Sequence, residues 1–509
     1  MSAASQNPTP INESSGQQTA DEKVRKEYEK PSEVDRIVDE LNEKFFVVEN
    51  FGDQCVVCWL EDGPNPKKGK HLRPEANKII KFQSFANFAH RFEHQRIVTG
   101  ASVVRGKSKE ETETKANIWI KDPRRRQYER VVFRPGQDVA SNEFNLWRGF
   151  AYEPVKGECG LYLIHLRDNI CRGDLIKYSY LIKWMAWHSR NPNSVGETAI
   201  VIPGTEGVGK NVAAEGFTDL WGNHGVVLDD EQSVTGKFNA ILEGVCVCVC
   251  DEAFFAGSAK QANRLKGLIT GGSLTIEHKG VNPYKTPNLL RLFILGNDEH
   301  IVRAGIDARR FFVTECGTDH KRDGEYFGAI KKQLEDGGYA ALLHHLLHEV
   351  DLTGFDVRAV PETAELRRQK AYSLTGVKDL IVELAMSGKI PGGEVRQKDN
   401  LTYKIDGGRD TEATGSVEVN LGHLASWANK ANAAKWGGIN YRQLQDVFGK
   451  KGLGLESIQR REGSSDQARV RRYWLLPPLL EFRELIDQRL VPIDEWAEEN
   501  LMWNPINVF

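Results

Sequence analysis

Seven residues, Gly204-Thr205-Glu206-Gly207-Val208-Gly209-Lys210, constrain the fold of this chain more than any other segment. They follow a short apolar run, Thr198 to Ile202, and precede a helix-compatible stretch, the setting of a phosphate-binding loop between a strand and a helix. The glycines let the backbone curl until its N–H groups converge on phosphate oxygens. The helix N-terminus adds partial positive charge, and Lys210 supplies a mobile cation for β and γ phosphates. No second G-x-x-x-x-G-K occurs in the chain. Asn211 stands where such loops usually carry Ser or Thr, whose hydroxyl helps to hold magnesium; its carbonyl oxygen is a weaker ligand, and otherwise the place falls to water.

Two further apolar runs extend the pattern. Val245 to Cys250 reads as a fully buried strand ending in Asp251-Glu252, and carboxylates at that end of a parallel sheet face the phosphate loop. Asp251 is expected to hold Mg2+ through water, and Glu252 to orient and deprotonate the attacking water. Leu289 to Leu295 ends at Gly296-Asn297-Asp298, which makes Asn297 the candidate sensor of the γ phosphate. Asp307-Ala308-Arg309-Arg310-Phe311-Phe312 sets two guanidinium groups before an apolar strand, a position from which one could reach the ATP of a neighbouring subunit. With helical stretches between these strands, residues 196–365 read as an α/β nucleotide-binding domain with a helical lid.

Around it the chain divides by composition. Residues 1–33 are polar and predict a disordered tail; residues 34–104 predict a small α/β module, with a hairpin from Phe45 to Leu60; residues 105–195 predict a helical collar containing a helix from Leu175 to His188. Residues 366–509 form a last domain after a Gly-rich polar loop from Gly388 to Gly415. Helices from Leu421 to Ala433 and Tyr441 to Phe448, then strand-turn-strand from Leu455 to Leu476, suggest a winged helix. Its hairpin carries Arg460, Arg461, Arg469, Arg471 and Arg472, suited either to DNA phosphates or to a contact with the ring or a partner protein.

The net charge is only -3, so a nucleic-acid surface must be local. Cys55 and Cys58 lack a second pair at zinc-ribbon spacing, and His344 and His348 lie off the leucine face of their helix, so neither pair predicts a metal site. No apolar run approaches about 20 residues and no signal-peptide core is present, which predicts no membrane association and a place in the cytoplasm, that of the host cell for a phage protein.

The order of phosphate loop, Asp-Glu strand, Asn-ending strand and Arg-Arg resembles superfamily 3 helicases, closest to the ATPase part of phage and plasmid primase-helicases. Asn145 to Phe150, Thr235 to Asn239, Asp251 to Phe254 and Phe355 to Pro361 carry the likeness across roughly residues 115–370. The resemblance implies a P-loop, AAA+-like core, ATP and Mg2+ as cofactors, a hexameric homo-oligomer, and 3′ to 5′ movement on single-stranded or forked DNA. It also implies a hairpin within Lys266 to Pro287 that grips DNA, with His278 and Lys279 at its tip. The ~100 residues before the collar are too few for a primase domain, so a separate primase or polymerase is expected. The alternative reading is an ATP-switched initiator or loader that binds origin DNA with little unwinding.

Overall fold

The computed structural model describes residues 32–506 except 64–65, 105–106, 230–232, 235, 237–238, 253–258, 279–281, 299, 305–307, 392–416, 437, 451, 463–468, 494–495 and 497–502. The tail, the Gly-rich loop after Gly388 and Lys279 therefore lie essentially outside the described residues. The chain forms two compact units, the first built from residues up to 63 with 78–132 and 138–146, the second from the remainder.

In the first unit, α1 (Glu33–Lys44) starts at a capping box in which Ser32 Oγ accepts from Asp35 N and the Asp35 carboxylate accepts from Ser32 N. It leads into the hairpin of β1 (Phe45–Phe51) and β2 (Gln54–Asp62). Next come β3 (Lys78–Gln83), α2 (Phe85–Arg91), the hairpin of β4 (Arg96–Val104) and β5 (Lys107–Thr114), α3 (Lys115–Lys121), β6 (Gln127–Val132) and β7 (Glu143–Asn145). The sheet runs β3-β2-β1-β6-β7. Consecutive apolar residues of β1 bury on opposite faces: Val47 joins Phe88 and Trp119, while Phe46 and Val48 join Phe144. This sheet draws strands from beyond residue 104, where the sequence pattern ends the module, because β6 pairs in parallel with β1.

The second unit takes residues 64–77, with a short 3-10 helix at Pro74–Asn77, and, after residue 146, α4 (Gly160–Ile164), which continues as a π-helical stretch to Ile170, and α5 (Leu175–Arg190). Its principal sheet takes β8 (Ala199–Pro203), β9 (Gly225–Leu228), β10 (Val247–Cys250), β13 (Arg291–Gly296) and β14 (Phe311–Val313), all parallel, in the order β14-β8-β13-β10-β9. Helices α6 (Lys210–Thr218) and α7 (Ala259–Thr270) lie in the connections; β11 (Ser273–Ile276) and β12 (Tyr284–Pro287) make a separate hairpin. Every residue of β8, β10 and β13 is buried, as expected of parallel strands covered on both faces. Cys246, Cys248 and Cys250 pack here as small apolar groups with free thiols.

Helices α8 (Gly324–Gln333), α9 (Tyr339–His344), α10 (Ala364–Tyr372) and α11 (Val377–Ser387) follow, then β15 (Lys389–Pro391) and β16 (Val417–Val419). Last come α12 (Leu421–Trp436), α13 (Tyr441–Phe448), β17 (Ser457–Glu462), β18 (Arg469–Leu476), α14 (Leu479–Arg489) and β19 (Asn504–Ile506). Strands β16, β18 and β17 form an antiparallel sheet whose inner face, with Trp474 and Leu476, closes on Leu380, Leu424, Leu444 and Phe482 of the surrounding helices. Among the described residues no helix is long and apolar enough to cross a membrane.

Candidate functional site

At the C-terminal ends of parallel strands, backbone and side chains converge on one crevice, the usual ligand position in open α/β sheets. The loop from Gly204 leaves β8 there and enters α6 at Gly209. Two glycines are demanded by space as well as by positive φ. A Cβ on Gly207 (φ 80°) would stand 2.9 Å from Arg322 Cγ, and one on Gly209 (φ 96°) 2.5 Å from Phe327 Cε1 and 2.7 Å from His165 Cε1.

The rear of the loop is braced by α4 and its π-helical continuation. Asn169 Nδ2 donates to Val208 O at 2.8 Å, joined by the Cys316 thiol at 3.2 Å, and His165 Nε2 lies 3.0 Å from Gly209 O. A carbonyl only accepts, so Nε2 carries the proton. The ring is neutral because burial pushes its pKa down to about 4. Its Nδ1 then accepts from the Tyr326 hydroxyl at 3.2 Å. The peptides are trans, so with the Val208 and Gly209 carbonyls bound to this rear wall, the N–H groups of Gly209 and Lys210 point the other way, into the crevice.

A continuous polar chain crosses the opening. Lys210 Nζ donates to Gly204 O, to Thr205 O at 3.1 Å and to Asn297 Oδ1 at 2.8 Å. Asn297 Nδ2 reaches Glu252 Oε1 at 3.5 Å; the Glu252 N–H donates to Asp251 Oδ1 at 3.1 Å; Asn211 Nδ2 donates to Asp251 Oδ2. Burial pushes the Lys210 pKa down, and Asp251, Glu252 and Glu206 oppose that shift. These groups, with Val208, Arg322, Gly324 and Phe327, line a cleft of about 470 Å³. Another cleft of about 560 Å³ between His71, Lys156 and Lys332 contains none of the residues singled out by sequence. The sequence-predicted loop, Asp251, Glu252 and Asn297 line the smaller one. Glu252 (φ 53°) and Arg322 (φ 60°) both hold left-handed backbone there, where side chains are strained and persist only if the surroundings fix them.

Other sequence-predicted residues lie elsewhere. Arg310 precedes β14 at the end where Phe311 pairs with Ala199, the edge of the sheet opposite Pro203 and the loop. Its Nε donates to Thr270 Oγ1 at 3.3 Å, and Arg309 is exposed. The five residues of β8 separate this edge from Lys210 by roughly 15 Å, so neither arginine belongs to its own chain's cleft. His278 turns inward instead of presenting its ring at the hairpin tip: its Nε2 lies 2.9 Å from Glu243 Oε2, and the Tyr284 hydroxyl donates to Glu243 Oε1. The carboxylate 35 positions earlier in the chain draws it in. On the C-terminal hairpin Arg461, Arg469 and Arg472 are exposed, Arg460 pairs in register with Arg471, and Arg471 Nη1 lies 3.2 Å from His423 Nε2.

Sequence reasoning does not single out His165, Asn169, Arg322 or Phe327. The one local signal is the run His320-Lys321-Arg322-Asp323-Gly324, a basic cluster before a helix cap.

Residues 202–310 match the model of a family of unknown function, DUF5906. Among curated proteins none matches. The apo structure of the NrS-1 C-terminal region (305–718) is similar, with a TM-score of 0.50 and 17% identity over 70% of this chain and 79% of that one. The A form of the same region aligns with a TM-score of 0.50 and 17% identity over 69% and 79%. A JCV helicase structure aligns at a TM-score of 0.26 and 18% identity over 45% and 61%. The chain therefore shares the mixed α/β fold of the NrS-1 C-terminal region.

Proposed function

We propose that this chain is an ATP-driven, ring-forming DNA helicase of a phage or mobile element, of the superfamily 3 type. The observation that carries the reading is the unbroken chain Lys210–Asn297–Glu252–Asp251–Asn211 across one cleft at the C-terminal ends of a parallel sheet. Phosphoryl transfer needs a cation on the phosphates, a positioned water and a base, and the cleft brings a group for each together.

In this reading the loop N–H groups bind the phosphates and Lys210 exchanges its carbonyl partners for phosphate oxygens. Asn297 aims the water, and Glu252 takes its proton as the new P–O bond forms and the bond to the β phosphate breaks. Mg2+ supplies charge neutralisation on the phosphates when bound. Asp251, whose carboxylate oxygens accept from Glu252 N and Asn211 Nδ2, would hold the ion through water.

Arg309 or Arg310 completes the site of the next subunit in a hexameric homo-oligomer. Lys279, between β11 and β12, is the channel contact for single-stranded or forked DNA, with 3′ to 5′ movement. The α12–α13 and β17–β18 part acts as a winged helix on DNA or a partner, and a separate primase or polymerase works alongside in the cytoplasm of the cell. Asn211, whose amide is engaged by Asp251, is the observation that favours the alternative of an ATP-switched initiator or loader. DNA-stimulated ATP hydrolysis by the native chain and by Glu252→Gln tests the proposal. The helicase reading expects hydrolysis in the first and ATP binding without turnover in the second; equal turnover in both removes Glu252 as the base.

A further inference from the structure

Resting on the reading of the cleft as an ATP site, we infer that Arg322 is a nucleotide-contacting residue supplied in cis, gripping the phosphate-bearing end of the ATP bound by its own chain. Arg309 and Arg310 lie at the far edge of the sheet, so neither reaches the site of its own chain. Arg322 lines the cleft, and its Cγ stands 2.9 Å and its Nε 3.8 Å from the position of a Cβ on Gly207, directly over the loop. Its backbone N–H donates to Gly207 O at 2.8 Å, tying the segment before α8 to the loop.

The position is fixed from both sides. Asp323 caps α8 by accepting from Tyr326 N at 3.0 Å, and its other oxygen lies 3.3 Å from His320 Nδ1. The His320 ring stacks on Tyr326 at 3.6 Å and 3°. Tyr326 in turn meets His165, which holds Gly209 O. This frame keeps Arg322 in its left-handed conformation, an unfavourable one for arginine. The return is not a bond within the fold, since among the described residues the exposed guanidinium makes no hydrogen bond or ion pair. Arg172 and Arg368, by contrast, pair with Glu315. An unpaired guanidinium on a backbone fixed over a phosphate loop is free to take phosphate oxygens as a bidentate ligand.

The test uses the full chain and a fluorescent ATP analogue, with Arg322→Gly, Arg322→Lys and the neighbouring Lys321→Ala. Arg322→Gly removes the guanidinium and relieves the positive-φ strain. It is expected to melt at or above the native temperature without nucleotide while binding ATP about 10–100-fold more weakly, the range of a lost charge-assisted hydrogen bond. Arg322→Lys should recover part of the loss and Lys321→Ala should bind as native. Because the contact is in cis, mixing Arg322→Gly with Lys210→Ala chains should restore no hydrolysis, whereas an Arg309→Ala,Arg310→Ala chain mixed with Lys210→Ala should regain some. Unchanged affinity in Arg322→Gly, or its rescue by Lys210→Ala, overturns the assignment. Failure of the native chain to bind the analogue at all would instead remove the ATP reading on which the assignment rests.

Discussion

Arg291, the first residue of β13, carries a guanidinium that is fully buried and, among the described residues, paired with no carboxylate. Its Nε donates to His188 Nδ1 at 3.1 Å, its Nη1 to Leu289 O, and its Nη2 to Asn191 O and Pro192 O at 2.9 Å each and to Ser194 Oγ at 3.2 Å, above the face of Trp221. Burial lowers its pKa to about 10, still high enough to stay charged. Replacing it with Met keeps much of the volume but leaves three carbonyls and a ring nitrogen without their donor, the Leu289 carbonyl and the His188 ring in the interior and the Asn191 and Pro192 carbonyls part-buried. At about 1–3 kcal/mol per stranded acceptor, offset by the relieved desolvation of a buried cation, the expected net loss is about 2–4 kcal/mol. Arg291→Lys keeps the charge but cannot span the same acceptors and should lose about half as much. Chemical denaturation reads the loss. Nucleotide affinity of the folded variant should stay within about threefold of native, because the six residues of β13 hold Asn297 roughly 20 Å away. A stability change below about 0.5 kcal/mol for Arg291→Met would refute the claim that this cluster ties the start of β13 to the loop after α5.

Acid should loosen the fold before neutral conditions do. Burial holds His165 and His224 down to about 4 against an ordinary 6.5, so the unfolded chain binds protons more readily in that window. Stability is then full above pH 6.5 and falls as pH drops towards 4, by roughly 3 kcal/mol per ring; melting temperatures that stay flat across this window contradict the buried neutral rings. Gly209→Ala pushes a methyl against Phe327 and His165 at a positive φ, a local cost of about 2–4 kcal/mol. ATP affinity should fall at least about thirtyfold by equilibrium titration, and native affinity would show that the loop has room to shift. Glu243→Ala removes the acceptor shared by Tyr284 and His278 at the connection end of the β11–β12 hairpin. Stimulation of hydrolysis by single-stranded DNA should drop about tenfold or more while unstimulated hydrolysis stays within twofold, and undiminished stimulation would separate the hairpin from DNA.

The parts legible in the sequence are those written locally. Apolar runs became β8, β10 and, Arg291 apart, β13 because parallel strands buried on both faces need no alternation, and the polar residues after β10 and β13 fall at the crevice. Asn297 was readable for that reason alone. The C-terminal helices and hairpin followed from period and turn residues. What escaped was set by contacts distant in the chain. His165 reaches Gly209 over 44 positions and Asn169 reaches Cys316 over 147, so neither leaves a mark near the loop. His278 reads as a basic tip residue until Glu243 is placed beside it. β6 is recognised as part of the first sheet only once its parallel pairing with β1 is known.

The most direct test of the central claim is strand displacement on a forked DNA with ATP and magnesium, comparing the native chain with Glu252→Gln and Lys279→Ala. The account predicts unwinding by the native chain, loss of unwinding in both variants, and unstimulated ATP hydrolysis retained in Lys279→Ala. Assembly on DNA with ATP but no displacement on forks of either polarity would contradict the helicase claim and leave the initiator or loader in its place.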